Sequence, residues 1–240
     1  MTIESLRKPK LPAIVFLLSL AFVFCILAGC SSNEDQADMS PKDPKAIVED
    51  AFLASPAAPW TWVRENPAAH KIDQGLLILL EPGGLMGEGK DAKNILVRPL
   101  PPQAKSVSVC VEANHEAQYE QAGLILYHDD DNYIKLMKEF VDGQTWIVLV
   151  AEAAANPRVV NKIPSPPNPT WVGFNFAVKG ASAVCWGSDG AVTQVGGADF
   201  TMQPSPRIGV FTQSGQPNAN RWARFADFKI SSEFCAPSLD

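Results

Sequence analysis

The chain has 240 residues, a formal net charge of −6 at pH 7, five cysteines and three histidines. The negative charge and the absence of any basic run argue against a surface that binds nucleic acid or phosphate. With few histidines and no Cys-x-x-Cys pair, the sequence offers little from which to build a zinc site.

Residues 1–29 have the pattern of a bacterial lipoprotein signal peptide. Arg7, Lys8 and Lys10 precede the apolar run LPAIVFLLSLAFVFCILAG, which is followed directly by Cys30. A positive start, an apolar run and small residues before the cleavage point are typical of a secretory signal. We predict cleavage before Cys30, which then carries the lipid, including palmitate. An uncleaved anchor is the alternative, because the run is long enough to span a bilayer.

Residues 30–48 are polar, acidic and proline-containing, which predicts a flexible tether. The expected location is the bacterial cell envelope, on a lipid-anchored membrane, and the outer membrane if the source has two. Residues 1–29 carry three basic side chains and one acidic, so the remainder has a net charge of −8. Residues 49–240 suffice for one ordinary domain. Its three cysteines allow at most one disulfide: Cys110, Cys185 and Cys235.

The domain is predicted to be all-β. Residues 45–54 are expected to form a turn or two of helix, and no other stretch has helical periodicity. Short alternating runs rich in Val, Ile, Phe and Trp, with turn residues between them, predict antiparallel strands in a sandwich or barrel. These runs are residues 75–80, 94–99, 105–113, 122–127, 132–140, 145–152, 170–180, 182–188, 207–213 and 223–232.

The stretch HDDDN, residues 128–132, separates the runs QAGLILY and YIKLMKE and predicts a hairpin. A loop of three or five residues opposes Tyr127 to Tyr133, whereas an even loop would mix a lysine with leucines on one face. Because a shift of one residue inverts a strand, we predict the odd loop, which gives one purely aliphatic face. That face holds Leu124, Leu126, Ile134 and Leu136.

Asp129, Asp130 and Asp131 fall at the tip of this hairpin. Asp tolerates turn conformations and bonds to its own backbone, so we expect a solvated turn. The alternative is a peripheral structural calcium site, since carboxylates suit calcium, although the glycine and distal glutamate of an EF-hand are missing. No cofactor is predicted otherwise.

The second face of the hairpin mixes two tyrosine rings with an amide, an ammonium and a carboxylate. Aromatic planes suit the C–H face of a sugar ring, and fixed polar groups suit its hydroxyls. A plain solvent-facing sheet surface is the alternative. The residues concerned are Gln121, Tyr127, Tyr133, Lys135 and Glu139.

Four stretches carry a family resemblance: PWTWVRENPAAHKIDQGLLILL (59–80), EQAGLILYHDDDNYIKLMKEF (120–140), RIGVFTQSG (207–215) and RFADFKI (224–230). They resemble the concanavalin A-like domain at the C-terminus of family 43 β-xylosidases and its stand-alone DUF1349-type relatives. The resemblance covers most of residues 59–231 and implies a jelly-roll sandwich of two antiparallel sheets. In the xylosidases this domain accompanies a catalytic propeller, which is not expected in this chain. It therefore implies an accessory, sugar-associated module.

Strand parity adds further candidate ligand-binding residues. Trp62 and Arg64 are two positions apart on the first strand expected within residues 59–80, so they are predicted to share a face of that strand. Trp171 and Asn175 fall on the face opposite Phe174, which is expected to point into the core.

We predict a membrane-anchored, non-catalytic carbohydrate-binding or glycosidase-accessory module whose partner is an oligo- or polysaccharide. The alternatives are an envelope scaffold that binds another protein and a jelly-roll glycoside hydrolase. A hydrolase needs two carboxylates in one cleft. The Glu-x-Asp-x-x-Glu arrangement of jelly-roll glucanases is absent from the sequence, and Glu139 has no obvious partner on its strand.

Overall fold

The computed structural model describes residues 45–86, 89–177, 180–199, 204–217 and 220–235. The predicted signal peptide, Cys30 and most of the predicted tether lie outside the described residues. Within them, no helix is long and apolar enough to cross a bilayer. Cys110, Cys185 and Cys235 are free thiols.

The described residues form strands, with a single turn of 3₁₀ helix at Pro67–Ala69. The strands are β1 Ala46–Asp50, β2 Thr61–Val63, β3 His70–Ile72, β4 Leu76–Leu79, β5 Ile95–Pro99, β6 Ser106–Ala113, β7 Gln121–Asp129, β8 Asn132–Val141, β9 Gln144–Ala153, β10 Asn156–Pro164, β11 Thr170–Ala177, β12 Gly180–Trp186, β13 Thr193–Ala198, β14 Arg207–Gln213 and β15 Trp222–Ser231.

The strands form two antiparallel sheets, which confirms the predicted all-β sandwich. The eight-stranded sheet has the order β13-β12-β11-β6-β15-β4-β3, with β1 paired to β15. The seven-stranded sheet has the order β10-β9-β8-β7-β14-β5-β2. Each sheet therefore has an inner face toward the other sheet and an outer face away from it.

The main core lies between the two inner faces. Because side chains alternate along a strand, each central strand gives every second residue to it. Leu124, Leu126, Ile134 and Leu136 of the seven-stranded sheet are fully buried there, as is Phe174 of the eight-stranded sheet. Burial of one such side chain stabilises the fold by roughly 1.5–3 kcal/mol.

The predicted register of the β7–β8 hairpin is confirmed. Tyr127 lies opposite Tyr133, and the four aliphatic residues pair with one another on the inner face. Contrary to the expectation from the sequence, that face is not purely aliphatic, because Lys138 lies on it opposite Ala122. A bulge at His128 lets the five residues between the tyrosines close in a tight turn at Asp130 and Asp131.

Expectations from the sequence are wrong at two places in the fold. Residues 46–50 form strand β1 rather than helix, because they pair along β15. The tether predicted to extend to residue 48 thus overlaps a strand that begins at Ala46. The second correction concerns Asp130, which is not a freely solvated turn residue.

Asp130 connects the hairpin tip to the segment after β2. The two terminal guanidinium nitrogens of Arg64, Nη1 and Nη2, donate to its carboxylate at 2.7 and 2.9 Å, and the Tyr127 hydroxyl donates at 2.7 Å. Its neighbours are also occupied: Asp129 accepts from the backbone of Asp131 at 2.8 Å, and Asp131 pairs with Lys90. Within the described residues, no cluster of three or more acidic, His or Cys side chains is arranged to hold a metal ion.

The Arg64–Asp130 pair gives a stability prediction. Asp130→Asn should lower the free energy of unfolding at pH 7 by about 1–3 kcal/mol, because a bidentate, charge-assisted pair is lost from a partly buried site. Asp142→Asn, in the exposed β8–β9 turn, is the matched control and should change it by less than about 0.5 kcal/mol. Urea unfolding measures both variants.

The effect of Asp130→Asn should depend on pH. Burial raises the pKa of Asp130, but the hydrogen bonds from Arg64 and Tyr127 outweigh it and leave the pKa below the ordinary 3.8. A depressed carboxyl pKa stabilises the fold above the unfolded value, and this stabilisation is lost as pH falls through the folded value. The difference in unfolding free energy between wild type and Asp130→Asn should therefore shrink as the pH falls through the folded-state pKa of Asp130. A difference that stays constant down to the acid transition contradicts the ion pair.

Candidate functional site

The outer face of the seven-stranded sheet carries the polar side chains of the β7–β8 hairpin. Strand register arranges them in rows that run across the sheet. One row joins Arg207, Tyr127, Tyr133 and Glu152. A second row, near the opposite ends of the same strands, joins Gln213, Gln121, Glu139 and Trp146.

A second apolar cluster covers most of this outer face. It includes residues of the sheet, such as Ile125, Met137 and Phe211, together with Leu85 and Ala92 of the segment that connects β4 to β5. This face is therefore not the open, solvated surface that strand alternation alone suggests. The segment that connects β4 to β5 packs over part of this face and buries some of its polar side chains.

Lys135 is fully buried at the centre of this cluster. Its Nζ lies 5.8 Å from the centroid of the Tyr133 ring and 5.5 Å from that of Phe211. The same Nζ donates to Gln121 Oε1 at 2.9 Å, and Gln121 Nε2 donates to Glu139 Oε1 at 2.5 Å. A lysine can only donate, so it orients the Gln121 amide and aims its nitrogen at the Glu139 carboxylate.

Burial dominates the pKa values of the two charged groups in this hydrogen-bonded set, Lys135 and Glu139. Burial lowers the pKa of Lys135 to about 8, although Glu139 and Glu152 act in the opposite direction. Burial likewise raises the pKa of Glu139, opposed by its hydrogen bond from Gln121 and by the charge of Lys135. Both charges are thus less stable than in water, and the hydrogen bonds among the three groups offset part of that cost.

A pocket of about 520 Å³ opens at the row of Gln213, Gln121 and Glu139. Its volume lies within the usual range for small-molecule sites. The buried Oε1 of Gln213 has no hydrogen-bond partner within the described part of the chain, so it could accept from a ligand. Apolar side chains of β8 and β9, a half-exposed ring and a basic side chain also line it: Met137, Val148, Val150, Tyr119 and Lys162.

The two predicted tyrosines lie deeper than a stacking platform requires. Tyr127 is 4% exposed and Tyr133 is 0% exposed. Tyr133 donates to Glu152 Oε2 at 2.6 Å, and the Arg207 guanidinium lies 4.9 Å from the Tyr127 ring centroid. Both rings are therefore in contact with other protein groups, and they pack beneath this face rather than present a surface to a ligand.

The structure brings six predicted residues to this side of the sandwich and separates the other three. Arg64, which adopts φ 53°, reaches Asp130 beside Tyr127. Trp62 packs toward the main core and stacks on the His70 ring at 4.3 Å, so it does not share a side with Arg64. Trp171 and Asn175 lie on the outer face of the eight-stranded sheet, on the far side of the core from Gln121.

Sequence reasoning missed several residues of this site, including Tyr119 and Lys162 of the pocket lining. Glu152 follows from the β8–β9 register, which places it opposite Tyr133. Gln213 follows from the β14–β7 register, which places it opposite Gln121. Phe211 lies next to the lysine although β14 and β8 are not consecutive strands, and no local pattern indicates that contact.

The family model described as a protein of unknown function, DUF1349, matches residues 85–233. The chain belongs to the DUF1349 family. No curated protein matches it.

Solved structures share the fold of this DUF1349 protein at low sequence identity. The GH43 BlXynB protein from Bacillus licheniformis matches with a TM-score of 0.70 and 17% identity, over 84% of this chain and 41% of that chain. The xylan β-1,4-xylosidase from Bacillus halodurans matches with 0.67 and 15%, over 79% and 39%. A functionally unknown protein from Saccharomyces cerevisiae matches with 0.61 and 15%, over 73% and 97%.

These matches confirm the predicted concanavalin A-like, jelly-roll sandwich. The DUF1349 chain spans about two fifths of the length of the two glycosidase chains, so their activity belongs to larger proteins.

The buried lysine gives a second prediction. A lysine whose pKa is lower when folded is protonated more readily in the unfolded chain, so stability should rise with pH above about 8. Lys135→Met should remove this rise. Above pH 8, the unfolding free energy of the wild type should rise relative to that of Lys135→Met by roughly 1.4 kcal/mol per pH unit. This rise should end near pH 10.5, the pKa of lysine in the unfolded chain.

Lys162→Met, at the pocket, is the matched control for loss of one positive charge from this face. Both variants are measured by denaturant unfolding over pH 7–10. A difference between wild type and Lys135→Met that does not change with pH would mean that the Lys135 ammonium is solvated.

Proposed function

We propose that this DUF1349 protein is a membrane-anchored, non-catalytic module that binds oligo- or polysaccharide or assists a glycosidase at the bacterial cell envelope. The observation that carries the proposal is the pocket at Gln121, Glu139 and Gln213, in which fixed polar groups border an apolar floor. Similarity to β-sandwich domains within GH43 proteins adds support at the level of fold.

The pocket has the groups that saccharide binding needs. The Tyr119 ring is half exposed and could cover the C–H face of a sugar. The Glu139 carboxylate and the Gln213 carbonyl oxygen are acceptors, and the Lys162 ammonium is a donor, for ring hydroxyls. Lys135 acts as a positioning residue, because it fixes the Gln121 amide against Glu139 before any ligand arrives.

The site therefore differs in detail from the one expected on the sequence. Gln121 and Glu139 stay in contact with the proposed ligand. Tyr127, Tyr133 and Lys135 are not expected to contact the ligand, because their side chains are buried. They position the residues around them instead.

Hydrolysis by Glu139 and Glu152 as a catalytic pair is not favoured by their geometry. They are the carboxylates of this face on β8 and β9, and Glu152 lies opposite Tyr133, six residues along β8 from Glu139. At about 3.3 Å per residue the two are roughly 20 Å apart along the strand. Paired glycosidase carboxylates are about 5–9.5 Å apart.

Binding should be tested on the protein without residues 1–29, with xylo-, arabino-, gluco- and pectic oligosaccharides, by calorimetry and a glycan array. Affinity for the best ligand should be weak, and Glu139→Gln should reduce it about tenfold, equivalent to roughly 1.4 kcal/mol for one charged hydrogen bond. Glu49→Gln, on an exposed position of β1 in the other sheet, is the matched control and should bind like the wild type.

Two outcomes would contradict the proposal. If the folded domain binds no glycan above background, the scaffold interpretation replaces it, and the same surface becomes a candidate protein interface. If a glycan binds but Glu139→Gln and Glu49→Gln behave alike, the pocket is not where it binds.

The anchor has its own test. Cys30→Ala should release the protein from membrane fractions, because the acyl chains on this residue are proposed to hold it there. Fractionation followed by mass spectrometry of the mature N-terminus measures both attachment and cleavage. Sedimentation of Cys30→Ala with residues 1–29 still attached would indicate an uncleaved anchor instead.

A further inference from the structure

A second cavity lies on the outer face of the eight-stranded sheet and shares no lining residue with the pocket at Glu139. Its volume is about 320 Å³, at the lower end of the range for small-molecule sites. It is bordered by side chains of β6, β11, β12 and β15 and by the chain that follows β15. The side chains that matter for its chemistry are Trp171, Trp186, Ser106, Ser108, Asp227 and Ser231.

Two tryptophans form one wall of this cavity. Trp171 of β11 and Trp186 of β12 are register partners, so their side chains leave the sheet on the same face. Their rings are nearly parallel, with an angle of 8° and a centroid separation of 6.5 Å. Both remain partly exposed rather than packed into the core. A flat indole surface of this kind suits the C–H face of a sugar ring.

A β-bulge aims Asp227 at the same cavity. The register of β15 with β6 shifts between Ala226 and Lys229. Within the bulge Phe228 turns into the core, while Asp227 becomes exposed and adopts φ 51°, a conformation that few non-glycine residues accept. Bulges commonly re-aim a side chain in this way.

The segment after β15 closes the far wall. Ser106 Oγ donates to the carbonyl oxygen of Glu233 at 2.5 Å, and the backbone nitrogen of Cys235 donates to Asn175 Oδ1 at 2.7 Å. Lys45 pairs with the Glu233 carboxylate at 2.7 Å. Asn175 is thus a positioning residue for this wall.

We propose that this cavity is a second saccharide site, which takes a single neutral sugar ring or a short neutral oligosaccharide. The tryptophans supply the stacking surface, and the serine hydroxyls and Asp227 supply hydrogen bonds to ring hydroxyls. Its ionic groups balance, with Asp227 and Glu233 against Lys45 and Lys229. A balanced set favours a neutral polyol over a phosphate or a uronic acid, either of which would need excess positive charge. The site does not depend on the pocket at Glu139.

The probes are methyl β-D-xylopyranoside and methyl β-D-glucopyranoside, and the readouts are saturation-transfer NMR and tryptophan fluorescence titration on the soluble domain. At least one probe should bind the wild type and quench fluorescence. Trp171→Ala and Asp227→Asn should each weaken binding about tenfold or more. Asparagine accepts the same backbone conformation as aspartate, so Asp227→Asn keeps the proposal testable if Trp171→Ala fails to fold.

Asp142→Asn, at an exposed aspartate with φ 54° in the β8–β9 turn, is the matched control for Asp227→Asn and should bind these probes like the wild type. Inorganic phosphate should not compete. The proposal is overturned if neither probe binds the wild type, if Asp227→Asn binds like the wild type, or if phosphate displaces the probe. If only Glu139→Gln reduces binding, the first pocket stands and the second site fails.

Discussion

Removal of apolar side chains from water between the two sheets is the constraint on which the other features depend. The inner faces are committed to residues such as Leu136, Val109 and Phe174, and each central strand supplies alternate positions to them. Most polar side chains of the central strands therefore lie on the two outer faces, although Lys138 is buried on the inner side and donates to Asn168 and Thr170. This is why Glu139 and Asp227 lie on opposite sides of the molecule.

The outer face of the seven-stranded sheet adds a second layer of burial to this plan. Lys135 is held between two aromatic rings and hydrogen-bonds to Gln121. A buried charge of this kind is weak evidence for stability, because desolvation offsets the attraction to its partners. Its clearer effect is geometric, since the Gln121 amide and the Glu139 carboxylate have one arrangement that satisfies all three groups.

Local pattern was enough to predict the sandwich and the β7–β8 register, because segregation of leucines from polar residues depends only on neighbouring positions. It was not enough for every strand, and β10 and β13 are two of those that it missed. The first is an edge strand with mostly exposed residues, and the second, TQVGGA, has few apolar side chains. Both strands form because an adjacent strand offers them hydrogen bonds.

Contacts between distant segments were also beyond local pattern. Arg64 and Asp130 are 66 positions apart and meet only when β2 and the β7–β8 hairpin join the same sheet. Lys135 stands at an alternate position that normally faces solvent, but the segment with Leu85 and Ala92 covers its face. The sequence therefore indicates which residues share a face but not which of them remain accessible.

The position of β15 determines when folding can be completed. This strand, the last of the described chain, lies between β6 on one side and β4 and β1 on the other. The eight-stranded sheet consequently stays divided, with its inner face unsealed, until residues 222–231 are available. Closing it requires contacts across nearly the whole domain, and such non-local pairing is slow. In the lipoprotein proposed above, this order would delay folding until residues 222–231 have crossed the membrane.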